Sequence, residues 1–131
     1  IVRAKLSLVG LEGAGSRMPS ELSGGMLKRA GIARAMAFEP SLLFLDEPSA
    51  GLDPVSAAEL DDLILTLNRD LGVTIVLVTH DLESVLNIGK NCIMLDRESR
   101  SIIARGEPRE LRAHCSDPRV RRFFNRQAGD T

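Results

Sequence analysis

Leu42-Leu43-Phe44-Leu45-Asp46-Glu47-Pro48 is an apolar run that ends in two adjacent acids and a proline. Four apolar residues are too few for an independent helix, so the run reads as a buried strand. Successive strand side chains point to opposite faces. Asp46 and Glu47 can therefore both reach one site only if the strand ends and the backbone turns at that point. Pro48 makes the exit abrupt. A second run, Val73-Thr74-Ile75-Val76-Leu77-Val78, reads as another buried strand. Between the two, Pro54 suits a first helical turn, and Leu60, Leu63, Ile64, Leu67 and Leu71 recur at helical spacing until Gly72 ends the run. A strand, helix, strand unit of this kind makes a right-handed parallel crossover, with both strand C-termini on the sheet edge where ligands bind. The predicted fold class is α/β.

Upstream, Ser23-Gly24-Gly25 opens a stretch in which Met26, Ala30, Ala33 and Ala37 fall on one helical face, closed by Pro40. Downstream, Leu82, Val85 and Leu86 predict a short helix, and residues 92–95 and 102–104 two strands of a hairpin. From Pro108 to about Phe124 the chain reads as two short arginine-rich helices split near Pro118. The opening residues 1–9 begin with Ile1, in mid-pattern and without a cap, as expected of a piece of something longer.

Composition narrows the function. A hydrophobic content of 44% with 27% charge allows a packed core in a chain of 131 residues. Seventeen basic against eighteen acidic residues give a net charge of -1, which offers no general attraction to nucleic acid, and no nucleic-acid partner is expected. No apolar run approaches the roughly 20 residues that span a bilayer. Cys92 and Cys115 stand apart from any C-x-x-C or histidine spacing, so neither a disulfide framework nor a cysteine metal site is expected.

Several short motifs carry chemistry. At a ligand edge Asp46 suits Mg²⁺, usually through water, and Glu47 can orient and deprotonate an attacking water. Taken alone, such acids do no more than end a strand and begin a loop. Leu22-Ser23-Gly24-Gly25-Met26 places a hydroxyl and two side-chain-free amides at a helix start, where free N–H groups and the helix dipole favour phosphate. Its plainer reading is an N-cap and a turn. Ser49-Ala50-Gly51-Leu52-Asp53 follows Glu47 closely, and Asp53 is placed to cap the helix that Pro54 begins. Thr79-His80-Asp81 follows the second strand, so His80 is expected on the same edge as Glu47, able to donate a hydrogen bond to a terminal phosphate.

The order of these motifs resembles that of the nucleotide-binding subunits of ABC transporters. In this resemblance residues 22–26 match the signature, 42–47 the Walker B strand, 49–53 the D-loop and His80 the switch histidine. Met26 departs from the glutamine that usually ends the signature. Residues 18–21 and 117–124 look like those of the phospholipid-trafficking (Mla, toluene-tolerance) subgroup, whose members work with lipid-binding MCE proteins. The resemblance implies a partial P-loop NTPase, a RecA-like parallel sheet with part of the ABC helical subdomain. Residues 1–38 would belong to that subdomain, 39–106 to the ATPase core and 107–131 to a helical tail. It also implies ATP and Mg²⁺, with Glu47 and His80 catalytic and Asp46 toward the metal. Ser23, Gly24, Gly25, Asp46 and Asp53 would contact nucleotide. Partners would be a second ATPase subunit and transmembrane permease subunits, with the protein cytoplasmic at the inner face of the membrane.

A phosphate loop of the form G-x-x-x-x-G-K-[ST] is absent. Of the three lysines, Lys5, Lys28 and Lys90, none has the required neighbours, and the glycines at 10 and 15 are followed by Ser16-Arg17. In the family, two subunits sandwich two ATP molecules, each bound by one subunit's phosphate loop and the other's signature. The signature and acid pair here are therefore expected to be halves of two different sites, leaving this chain inactive alone. Two other readings stay open: a non-transport ABC ATPase, and a non-catalytic subunit that supplies only its signature.

Overall fold

The computed structural model describes residues 1–126, so the end of the expected 107–131 tail, residues 127–131, lies outside the described residues. The chain divides into two compact units, Ile1–Thr79 and His80–Thr131.

The first unit opens with α1 (Val2–Leu8), which has no capping side chain, and two single helical turns at Glu12–Ala14 and Pro19–Glu21. Helix α2 (Gly24–Ala35) follows and runs into a tighter turn at Met36–Phe38. Glu39 then takes the left-handed conformation and ends the run, with its carboxylate 3.2 Å from the Lys5 ammonium. The buried side of this segment is Ile32, Ala33 and Met36. That differs from the expected stripe, because Ala37 falls in the tighter turn, where three residues per turn rotate it into solvent.

Strand β1 (Leu42–Asp46), helix α3 (Pro54–Leu71) and strand β2 (Thr74–Val78) form the predicted unit, the two strands pairing in parallel with Asp46 opposite Val78. Helix α3 packs on α2 and β2 through the face that carries its buried Leu60, Leu63, Ile64 and Leu67. Gly72, at φ 67, supplies the left-handed cap that lets the chain double back into β2. The strands correct the expectation of full burial. Leu43 is buried, but Phe44 is 69% exposed and Val78 57% exposed. A continuous apolar run reads as covered on both faces, whereas here only alternate residues are covered.

In the second unit, α4 (Leu82–Ile88) precedes the predicted hairpin of β3 (Cys92–Asp96) and β4 (Ser101–Gly106), then α5 (Pro108–His114) and α6 (Pro118–Phe124). Its core is Leu82, Val120 and Phe124, with Met94, Ile103 and Leu111 against it. The Arg119 guanidinium spans Asp117 at 2.7 Å and Asp96 at 3.0 Å and so ties α6 to the hairpin. Its hydrogen bond holds the Asp117 carboxyl down at about 2, so the Asp117–Arg119 pair stays charged until strongly acid pH.

Candidate functional site

The sheet ladder runs one residue past β1. The Glu47 N–H donates to the Val78 carbonyl at 2.8 Å, and Glu47 itself then turns left-handed at φ 45. For an L-residue this conformation costs roughly 1–2 kcal/mol, and it persists where the surroundings over-determine it. Here the Glu47 carbonyl accepts from the Ala50 N–H at 3.2 Å and from the Lys28 ammonium at 3.5 Å. The Thr79 hydroxyl donates to Glu47 Oε2 at 3.4 Å. Strand alternation is thereby broken between the two acids, the turn that the D-E-P ending demanded. Asp46 is exposed at the strand end, Glu47 half-buried and Pro48 buried.

Ser23 is the N-cap of α2, its hydroxyl accepting from the Met26 N–H at 3.2 Å. Neither following glycine has positive φ. A Cβ on Gly24 would lie 3.4 Å from Leu52 Cδ2, and one on Gly25 3.5 Å from Ser56 Cβ. Both are ordinary contact distances, so the fold itself does not demand glycine at either position. The contacts do show that the glycine start of α2 lies beside residues 49–53 and the first turn of α3. Arg29 and Glu59 meet at 3.8 Å between the same two helices. Ser23, Gly24, Gly25 and Asp53 are thus brought into one neighbourhood of the first unit.

Asp53 caps α3, its Oδ1 accepting from the N–H groups of Val55 and Ser56, each at 3.0 Å. Hydrogen bonds from the Ser56 side chain and from these backbone groups lower its pKa. Asparagine caps nearly as well as aspartate, so Asp53→Asn is expected to keep the thermal midpoint, whereas Asp53→Ala lowers it by a few degrees in a melting curve. His80 is the exposed first residue of the second unit. Asp81 beside it caps α4, accepting from the Glu83 N–H at 3.1 Å and the Ser84 hydroxyl at 3.2 Å.

The sequence did not single out Lys28 or Thr79 for this site. Lys28 lies nineteen positions from Glu47, and no local spacing joins them. Thr79 follows a strand, a position shared by many unremarkable threonines. Among the described residues no group of three or more histidine, cysteine, aspartate or glutamate side chains could hold a metal ion. A lone exposed carboxylate such as Asp46 fits Mg²⁺, which keeps several waters and takes its other ligands from substrate phosphates. It does not fit a metal held wholly by protein side chains. Among the described residues no helix is long and apolar enough to cross a membrane.

The profile of the ABC transporter family matches residues 2–50. The motif order above and the relatives below carry the same likeness, to the ATP-binding domains of ABC transporters. It is 48% identical over 124 residues to the intermembrane phospholipid transport system ATP-binding protein MlaF of Escherichia coli K12, covering 95% of this chain and 45% of that protein. It is 43% identical over 125 residues to the "Probable ribonucleotide transport ATP-binding protein mkl" of Mycobacterium tuberculosis H37Rv, covering 95% of this chain and 34% of that one. A crystal structure of a nucleotide-free ATP-binding cassette from an ABC transporter superposes with a TM-score of 0.83 at 28% identity, over 98% of this chain and 49% of that one. The chain spans about half the length, or less, of the relatives it matches. The fold is that of part of a P-loop NTPase, as the resemblance implied.

Proposed function

We infer that this chain is the signature-bearing and acid-bearing part of an ABC transporter ATPase subunit, and that the whole subunit hydrolyses ATP to drive phospholipid transport. The observation that carries the reading is the Asp46-Glu47 pair at the C-terminal end of a parallel strand, with the backbone turning left-handed at Glu47. In this role the Glu47 carboxylate takes a proton from the water that attacks the terminal phosphate. Thr79 steadies that carboxylate, and His80 donates a hydrogen bond to the same phosphate. Mg²⁺, when bound beside Asp46, neutralises charge on the phosphate oxygens. Ser23, Gly24 and Gly25 serve ATP held by a second subunit, and Asp53 joins that contact while capping α3. Two glycines that packing does not require, at an exposed helix start, support a ligand there.

On this reading residues 1–38 belong to the helical subdomain, 39–106 to the ATPase core and 107–131 to the tail. The partners are a second ATPase subunit, permease subunits and an MCE-type lipid-binding protein, with the subunit at the cytoplasmic face of the membrane. Similarity to MlaF favours phospholipid as the cargo. The test is the full-length subunit, purified with its permease and placed in phospholipid vesicles. Expected are ATP hydrolysis and ATP-dependent transfer of a fluorescent phospholipid. Hydrolysis without transfer would overturn the cargo, and absence of hydrolysis the enzyme.

A further inference from the structure

The left-handed turn at Glu47 is held partly by a cation from another helix, and the assignment drawn from this rests on the hydrolytic role given to Glu47 above. We propose that Lys28 is a positioning residue whose ammonium, donating to the Glu47 carbonyl at 3.5 Å, maintains the turn that aims the Glu47 carboxylate. Lys28 is half-buried, and its head group meets a main-chain oxygen that already accepts from the Ala50 N–H. Two donors on one carbonyl fix the plane of the peptide that follows Glu47. Without the cation, that peptide is free to relax toward the broad extended region that a glutamate prefers. The carboxylate then swings away from the sheet edge, and small displacements of a reacting group cost rate steeply.

The same contact joins the two motifs. Lys28 lies five residues beyond the Ser23 cap, about 7 Å along a rigid helix. The contact therefore bridges the helix that begins at the Ser23 cap and the turn at the end of β1.

The test uses the full-length subunit. Lys28→Met keeps the stem and removes the donor, and is expected to lower kcat about tenfold with ATP affinity and melting midpoint unchanged. Lys28→Arg, which restores a donor cation, is expected to recover most of the rate. In single-turnover measurements, adding Lys28→Met to Glu47→Gln is expected to cause little further loss, because a badly aimed acid and a missing one fail at the same step. Turnover within twofold of the parent in Lys28→Met would overturn the proposal. So would full additivity with Glu47→Gln, or a lowered melting midpoint that tracks the loss of rate. If Glu47→Gln alone leaves turnover intact, the hydrolytic reading fails instead, which separates the two outcomes.

Discussion

Glu47→Gln in the full-length subunit is expected to retain ATP binding and to lose turnover by about 100-fold or more, the loss expected when a positioned general base is removed. Glutamine has nearly the volume of glutamate, and the bonds that hold the turn involve the backbone of residue 47: its N–H to Val78 and its carbonyl from Ala50 and Lys28. The substitution therefore leaves the left-handed turn in place and removes only the capacity to accept a proton. Nucleotide affinity by fluorescence titration and steady-state phosphate release separate the two effects. A mutant that turns over normally would sink the hydrolytic role.

Phe124→Ala is expected to cost about 3–5 kcal/mol within the second unit, the range for truncating a fully buried phenylalanine. Phe124 is only 1% exposed, and its ring stands edge-on to Phe123 at 5.3 Å and 81°. Its loss opens a cavity beside Val120 and Leu82 in a core with few other fully buried side chains. Amide hydrogen exchange in the full-length protein reads the effect directly. Protection in α5, α6 and the β3–β4 hairpin is expected to fall by roughly 100- to 5,000-fold, while the α3 amides change little. Phe124→Leu, which retains most of the apolar area, is expected to lose less than half as much.

Much of the fold was legible because its signals are local. Pro54, the leucine spacing and Gly72 bound α3 within a residue of the expected limits, and Pro108 and Pro118 begin the two tail helices. Asp53, Asp81 and Asp117 each cap the helix that follows. The exposure of β1 and β2 was not legible, since an apolar residue has the same identity whether or not something covers it. The buried side of α2 was misread for a related reason. Its last turn tightens, and periodicity carried past Ala35 no longer tracks the face.

The site divides along the same line. Adjacent acids after an apolar strand, a serine and two glycines at a helix start, and an aspartate before a proline are patterns of neighbouring residues, so the sequence alone determined them and their order. An abrupt turn after the strand was legible from Pro48, but its left-handed form at Glu47 came only with the structure, because a residue before proline ordinarily stays extended. What only the tertiary structure decided is the company Glu47 keeps. Lys28 reaches its carbonyl from nineteen residues away and Thr79 its carboxylate from thirty-two. Such contacts depend on how a helix and two strands pack together, and no spacing along the chain encodes them.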